Sequence, residues 1–554
     1  MQNMAWKRRL YLSLALARLY FALSPSYIHP DEHFQGPEVV AGEHFGWKIT
    51  KTWEFTAEKP IRSYVPLLAV YAMPMTLLQW IANGDPSPTM LFYAVRLLFY
   101  FFSMVYEDWA LLELGSATVP NGGLLLTASS WVTWSIQTRS FSNSVETVVL
   151  LWSLVFLKRI VAAKAPSIRN CILLAVFVVF GTFNRITFPA FLILPGLSLL
   201  KHFLIYPTSF FAFAIPAFLL AASFIVLDTH IYTQLPINLM SLSDLIITPI
   251  NNIAYNSQTE NLAQHGLHPL YTHLLVNLPQ LLGPAIIPLI CLVLNLGSSV
   301  GGSGKEDEEE EEEEEELTVA GRVVVKKRSL WEYVPLQSAV SGIFILSMIK
   351  HQEARFLIPA VPLLLSSISL PKAEVWKKRW MGAWAVFNIL LGTLMGVYHQ
   401  GGVVPAQLWI AGQENVDKAV WWKTYKPPTW LLGSKGKDVE TVDLMGGPVK
   451  RVFEEVEKMG GGGCGKHGLL IVPGSARGVE ALVESGRIAR VWGYRKHLNL
   501  DDMDFGDDGV VDTLQRVVGK RGIVVYEVVK PGCELIGATK KKKNTKVIDR
   551  EKEL

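Results

Sequence analysis

The chain has 554 residues, half of them apolar, and a formal net charge of only +3. Repeated apolar runs long enough to cross a bilayer exclude an ordinary soluble enzyme. They predict an all-α polytopic membrane protein, because a helix satisfies its own backbone hydrogen bonds in lipid. The charge averages an acidic run against scattered basic clusters and gives no reason to expect a nucleic-acid partner. Of the four cysteines, only Cys464 and Cys533 are candidates for pairing, if their region faces an oxidising lumen.

The first apolar run, residues 10–28, follows Lys7, Arg8 and Arg9 and is interpreted as an uncleaved signal anchor. These basic residues keep the N terminus cytosolic, so residues 29–63 form the first lumenal loop. Further apolar spans follow at residues 64–82, 90–112, 145–157, 171–183, 186–200, 210–227, 274–296, 330–349, 356–370 and 380–398. If residues 124–136 are re-entrant, the basic loops stay cytosolic, the chain crosses about eleven times and the C-terminal tail is lumenal.

Four regions follow from this pattern: an N-terminal transmembrane catalytic part at 1–297, a linker at 298–329, further transmembrane helices at 330–400 and a small soluble region at 401–554. The linker contains Gly and Ser residues and an acidic tract ending in nine consecutive glutamates. Like-charge repulsion and the lack of apolar residues predict that it is disordered and carries no chemistry. In the last region, strand-like runs at 469–472 and 523–526 predict a small α/β appendage.

Polar clusters interrupt or flank the apolar spans at residues 29–35, 138–146, 183–187, 261–273 and 350–356. Ionisable groups at membrane depth are costly and therefore indicate a functional site. On the topology above all five clusters are lumenal, as a single active site requires. One chemistry that can be built from these groups is sugar transfer from a lipid phosphate. Such a donor already carries a good leaving group, so the site would have to supply a base for the acceptor hydroxyl and cations for the departing phosphate.

Asp31 or Glu32 is the candidate base. The candidate substrate-binding residues are His29, His33, Arg62, Arg139, Arg185, His265, His268, His351, Glu353 and Arg355.

Each of these residues also has a structural alternative. The two histidines of the first loop can orient it without touching substrate, Arg139 can pair with Glu146, and Arg185 can cap a helix. His351, Glu353 and Arg355 can form an internal ion-pair network. The other histidines are unequally spaced and lack a carboxylate on the same helix face, so neither a metal site nor a cofactor is expected.

The residues quoted so far resemble those of the family 22 glycosyltransferases of the endoplasmic reticulum. The resemblance rests on His-Pro-Asp-Glu-His-Phe-Gln at 29–35, Thr-Trp-Glu-Phe at 52–55 and Pro-Ile-Arg-Ser at 60–63. It also rests on residues 351–359, which match a His-x-Glu-x-Arg-Phe-x-x-Pro signature with Gln352 where lysine is frequent. Within the family, the segments 139–144, 183–189 and 261–279 resemble the branch that adds the fourth mannose to the GPI precursor. The resemblance covers about residues 20–370 and leaves out the tail.

The resemblance implies a GT-C fold and a metal-independent, inverting α-1,2-mannosyltransferase in the endoplasmic reticulum membrane, with its active site in the lumen. The donor would be dolichyl-phosphate mannose and the acceptor a GPI glycolipid, with no obligate protein partner. Asp31 would act as base, with Glu32 as the runner-up, and the donor phosphate would lie near His351 and Arg355. Three rivals remain: a sister enzyme acting on the third GPI mannose or on the lipid-linked N-glycan precursor, a polytopic lipid transporter, and an inactive scaffold in which the paired carboxylates are incidental.

Overall fold

The computed structural model describes residues 2–115, 122–301, 316–319, 322–325, 333–371, 373–461, 463–503 and 505–536. Most of the described chain is helical. The longer helices are Gln2–Leu23, Pro37–Phe45, Tyr64–Ala82, Pro88–Leu114, Ser142–Ala162, Ile168–Asn184, Ile193–Ile205, Pro207–Thr233, Thr248–Asn256, His273–Leu294, Val334–Ser347, Glu374–Tyr398, Val403–Ala411 and Val449–Gly460. Shorter helices are Asp31–Phe34, Trp53–Thr56, Gly122–Ala128, Trp131–Ser135, Thr259–Ala263, Ala360–Leu365, Glu480–Glu484, Phe505–Asp508 and Val510–Leu514.

Five helices of the described residues are long and apolar enough to cross a membrane, judged by length and composition: Tyr64–Ala82, Pro88–Leu114, Pro207–Thr233, His273–Leu294 and Glu374–Tyr398. Three shorter apolar helices, Ile168–Asn184, Ile193–Ile205 and Val334–Ser347, lie between them in sequence. The total of about eleven crossings stays a prediction. The stretch expected to be re-entrant is broken into the two short helices Gly122–Ala128 and Trp131–Ser135.

The chain divides into two compact units. The first consists of Met1–Ala22, Thr52–Val70 and Leu97–Leu391, and the second of Leu23–Lys51, Tyr71–Arg96 and Gly392–Leu554. The second unit therefore contains the residues from Gly392 onward together with part of the segment predicted as the first lumenal loop. In the first unit, Val179 and Phe183 of one helix pack against Phe224 of the helix Pro207–Thr233, with the two phenylalanine rings edge to face at 5.2 Å.

Seven strands lie in the described residues: β1 (Glu316–Val319), β2 (Arg322–Val325), β3 (Val416–Trp421), β4 (Glu440–Asp443), β5 (His467–Pro473), β6 (Ile488–Tyr494) and β7 (Ile523–Val528). The last five form one sheet in the order β4-β3-β5-β7-β6, in which β3 is parallel to β4 and β5 while β7 is antiparallel to β5 and β6. Helix Val449–Gly460 packs on this sheet through Val452, Val456 and Met459, whose spacing puts them on one helix face. Both strands predicted in the tail are thus present.

The linker differs from the expectation in two respects. Helical structure does not end with the apolar span His273–Leu294, because the α-helix Ile286–Gly301 overlaps that span and continues past the boundary predicted at residue 297. Strands β1 and β2 form an antiparallel hairpin inside a segment expected to be disordered. The β-branched run Val323-Val324-Val325 gives the physical reason, since such residues favour strands. Most of the glutamate tract lies outside the described residues.

Candidate active site

Asp31 and Glu32 lie on one helical turn but have different surroundings. The Glu32 side chain is fully buried, and its Oε1 forms an ion pair with Nη2 of Arg96. The backbone N–H of Ile28 donates to the other Glu32 oxygen at 3.2 Å. The Asp31 side chain keeps 18 % of its surface exposed, and its Oδ1 lies 3.4 Å from Nδ1 of His29. Asp31 is therefore the more accessible carboxylate of the two.

Arg96 was not among the residues singled out from the sequence. It lies in helix Pro88–Leu114, its Nη2 also donates to the carbonyl oxygen of Ser26 at 3.0 Å, and its guanidinium lies 4.9 Å from the centroid of the Phe92 ring. A hydropathy scan passes over one arginine inside an apolar span. The signal was nevertheless present, because an arginine at membrane depth needs a partner and is a functional candidate by default.

His33 lies behind the two carboxylates and is only 1 % exposed. Its ring packs edge to face on Tyr27, with centroids 4.9 Å apart, and Nε1 of Trp430 donates to its Nδ1 at 3.3 Å. Because an indole N–H can only donate, Nδ1 accepts, and His33 is neutral with its proton on Nε2. Such burial is compatible with the structural alternative, in which His33 orients the loop, and its contact with substrate stays a prediction.

In the first unit, Arg62 and Arg185 line one small cavity together with Asn184. Each arginine has a carboxylate partner: Nη2 of Arg62 lies 3.0 Å from Oε1 of Glu54, and Nε of Arg185 lies 3.0 Å from Oε2 of Glu146. These ion pairs hold the two planar guanidinium groups in fixed positions, as recognition of a phosphate requires.

His351, Glu353 and Arg355 form the ion-pair network that was the alternative to substrate binding. Nε2 of His351 lies 2.8 Å from Oε1 of Glu353, and Nη2 of Arg355 donates to the same oxygen at 2.9 Å. Nδ1 of His351 lies 2.9 Å from the carbonyl oxygen of Gly266, so both ring nitrogens face acceptors. The hydrogen bond to Glu353 raises the pKa of His351. With His351 protonated, the three side chains carry a net charge of one positive unit and can still attract an anion.

The Phe356 ring connects this network to the Arg185 cavity. The guanidinium groups of Arg185 and Arg355 each lie 5.6 Å from its centroid. Two further predicted residues have rings close to the ring of His351: His265 at 5.9 Å and His268 at 5.8 Å. Polar clusters that are distant in sequence therefore converge within the first unit, as a single binding region requires.

Arg139 differs from the other arginines. It is fully buried, and its Nε donates to the carbonyl oxygen of Ser135, four residues earlier, at 2.5 Å. Glu146, its expected partner in the structural alternative, pairs with Arg185. Arg139 thus contacts local backbone at the turn before helix Ser142–Ala162, and its role in substrate binding stays a prediction.

An apolar cavity of about 390 Å³ also lies in the first unit. Its lining includes Val145, Trp152, Phe156, Phe177 and Phe180. Val145 directly precedes Glu146 in the sequence, and Phe180 lies one helical turn before Asn184. Val145, Trp152 and Phe156 all belong to helix Ser142–Ala162, so the cavity extends along that helix.

The fold of this chain is similar to that of a solved membrane protein. The crystal structure of ArnT from Cupriavidus metallidurans bound to undecaprenyl phosphate is similar to the chain with a TM-score of 0.51. That similarity covers 96 % of this chain and 99 % of ArnT at 10 % sequence identity, so it shows the fold alone. The shared architecture confirms the predicted GT-C fold class.

Three similar curated proteins carry the same name. GPI mannosyltransferase 4 of Aspergillus oryzae is 42 % identical over 95 % of this chain and 99 % of its own length. The proteins of that name from Emericella nidulans and Saccharomyces cerevisiae are 40 % and 32 % identical, over 96 % and 94 % of this chain and 99 % and 98 % of their own lengths. Residues 9–432 match the Alg9-like mannosyltransferase family, well beyond the part recognised in the sequence. The chain belongs to the Alg9-like mannosyltransferase family.

Proposed function

We propose that this chain is an α-1,2-mannosyltransferase of GPI-anchor assembly, which adds a fourth mannose from dolichyl-phosphate mannose to the trimannosyl-GPI precursor. The name shared by its relatives over almost the whole chain supports the pathway and the step. The observation that carries the chemical proposal is the different state of two adjacent carboxylates. Glu32 is buried on Arg96, whereas Asp31 keeps part of its surface exposed.

In the proposed reaction, the 2-hydroxyl of the third GPI mannose attacks the anomeric carbon of the donor mannose. Asp31 accepts the hydroxyl proton, the new glycosidic bond forms, and the bond between the anomeric carbon and the phosphate oxygen breaks with inversion. Dolichyl phosphate leaves with the electron pair. No group has to protonate it, because a phosphate is already a good leaving group. The proposal assigns no step to a metal ion.

The arginines of the first unit are proposed to hold the donor phosphate. Arg355 and Arg185 lie on one phenylalanine ring, and Arg62 lines the same cavity as Arg185. Their carboxylate partners keep the guanidinium groups oriented before the donor binds. Preorganised cations stabilise the charge that develops on the phosphate more than they stabilise the bound donor, which accelerates the chemical step.

The apolar cavity is proposed to take part of the donor's prenyl chain. Its lining consists of valine and aromatic side chains, which favour a hydrocarbon ligand. Both cavities have lining residues in helix Ile168–Asn184: Phe177 and Phe180 in the apolar cavity, and Asn184 in the cavity assigned to the phosphate. A polar head beside a hydrocarbon groove is the arrangement that a polyprenyl phosphate sugar needs.

The location is proposed to be the endoplasmic reticulum membrane, with the C-terminal residues in the lumen. A disulfide joins Cys464 to Cys533, which confirms the candidate pair. Disulfides persist in oxidising compartments and are rare in the cytosol. The basic residues before the first apolar run support the same orientation.

The test is mannose transfer in membranes that contain wild type, Asp31→Asn or Arg355→Ala, with labelled dolichyl-phosphate mannose and trimannosyl-GPI. Wild type should transfer, Asp31→Asn should be inactive, and Arg355→Ala should lose roughly 10²-fold or more. Dimannosyl-GPI and the lipid-linked N-glycan precursor serve as competing acceptors. Transfer to one of these instead of trimannosyl-GPI would refute the fourth-mannose step and assign the chain to a sister activity.

A further inference from the structure

A segment of the C-terminal region packs against the first loop, although the two are about 400 residues apart in sequence. The hydroxyl of Tyr27 donates to the carbonyl oxygen of Lys426 at 3.1 Å. The rings of Tyr27 and Tyr425 meet edge to face, with centroids 5.6 Å apart. The Lys426 ammonium lies 5.7 Å from the centroid of Phe34, which closes the turn of the candidate base.

Thr429 and Trp430 make the polar contacts of this segment. The carboxylate of Glu38 is fully buried and accepts from the Thr429 hydroxyl and from the backbone N–H of Trp430, the latter at 3.3 Å. It also accepts from the backbone N–H of Thr50 at 2.9 Å. This one side chain therefore connects the start of helix Pro37–Phe45 with the residues that follow the helix and with the C-terminal segment. The indole N–H of Trp430 donates to His33.

We propose that Thr429 and Trp430 are positioning residues of the mannosyl transfer, which fix the turn bearing Asp31 through their hydrogen bonds to Glu38 and His33. The proposal rests on the proposed role of Asp31 as base. It gives the C-terminal segment a part in the reaction that the resemblance did not include. The family match ends at residue 432, so it includes this segment and stops shortly after it.

The Trp430 hydrogen bond selects one tautomer of His33 and one orientation of its ring. His33 directly follows Glu32 and is two residues after Asp31, and its Nε2 lies 4.0 Å from Oε1 of Glu32. Without the indole N–H, Nδ1 loses its donor in a buried site, and the turn gains alternative arrangements. Since small displacements of a reacting group are costly, the loss should appear in the chemical step.

The test compares Trp430→Phe with Trp409→Phe in the full-length protein. Both changes replace an indole by a smaller ring in the same unit, but Trp409 stacks on Trp492 at 5.7 Å and serves as the matched control. We expect kcat of Trp430→Phe to fall about tenfold, the value of one oriented hydrogen bond, with an unchanged KM for the donor. Trp409→Phe should keep wild-type kcat.

Hydrogen exchange of residues 31–45 provides a readout that needs no activity. Exchange there should be faster in Trp430→Phe than in Trp409→Phe, because the hydrogen bond that fixes the turn is lost. Should Trp430→Phe fail to fold, Thr429→Val removes only the hydroxyl donor to Glu38, and Thr429→Ser should restore both exchange and kcat.

Unchanged exchange in both Trp430→Phe and Thr429→Val would overturn the proposal, as would a raised donor KM with wild-type kcat. If wild type transfers mannose to none of the acceptors, the proposed function fails. The exchange comparison then still decides whether the segment positions the loop.

Discussion

Removing Arg96 should leave a carboxylate buried without its cation. The side chains of Arg96 and Glu32 are 1 % and 0 % exposed, so water cannot replace the lost partner. Breaking a buried ion pair at one end costs about 3–5 kcal/mol. A typical domain is stable by only about 5–15 kcal/mol, so Arg96→Met should lower the melting temperature strongly. Methionine keeps the apolar stem of the side chain but is shorter and has no donor, so the change removes the guanidinium and its hydrogen bond to Ser26 together with the charge.

The double variant Glu32→Gln/Arg96→Met should recover most of that loss, because neither charge remains in the interior. It should also keep transfer within about tenfold of wild type, since Asp31 is intact. Asp31→Asn, which leaves the buried pair untouched, should instead lose about 10²–10⁴ in rate, the usual contribution of a general base. The two variants therefore separate a structural carboxylate from a catalytic one.

Tryptophan fluorescence on heating measures stability in detergent-purified protein, and mannose transfer measures rate. Arg159→Met is the matched control, because Arg159 and its partner Glu113 are 42 % and 35 % exposed and such a pair contributes at most about 1 kcal/mol. If Arg96→Met were as stable as Arg159→Met, the buried pair would not hold the loop. A double variant that folds but has no activity would give Glu32 a share in the chemistry.

Three further predictions concern groups outside the spanning helices. Burial raises the pKa of Glu38 from 4.5 to about 7, so the folded protein holds this proton more tightly than the unfolded chain. The free energy of unfolding should therefore fall as pH rises from 4.5 to about 7, and melting curves of Glu38→Gln should lack this contribution. Glu353→Gln should lower the pKa of His351, and the pH profile of kcat/KM should show the loss of the imidazolium at lower pH than in wild type. Cys464→Ser should destabilise the sheet region by about 4 kcal/mol, since the disulfide closes a loop of 69 residues, and limited proteolysis should cut there sooner.

Several polar residues of the candidate site could be singled out from the sequence for a physical reason. Charged groups are rare at membrane depth, so each one carries information about partners or substrate. Arg185, His351 and Arg355 were singled out on that ground, and the structure brings them around Phe356. The carboxylate partners of Arg62 and Arg185 could not be deduced, because ion pairing depends on packing between helices and not on spacing within one.

The contacts that hold the first loop could not be read from sequence. Arg96 and Glu32 are 64 residues apart, and Trp430 and His33 are 397 apart. No periodicity links residues over such distances, since hydrophobic patterns report only which face of one element is buried. Arg96 could have been singled out as an arginine in an apolar span, whereas nothing in the sequence around Trp430, in the region predicted to be soluble, indicated a contact with the first loop. The contacts of Trp430 with His33 and Glu38 therefore had to come from the structure.

Helix geometry explains why two adjacent carboxylates, Asp31 and Glu32, have different surroundings. Successive residues of a helix point about 100° apart, so neighbours on one turn cannot face the same partner. With Glu32 directed into the protein toward Arg96, Asp31 has to point away from it, where its side chain remains partly exposed. Arg96 holds Glu32, while Trp430 and Glu38 hold the residues that follow. The turn is thus fixed on its buried side, and the carboxylate proposed to take the proton lies on the more accessible side.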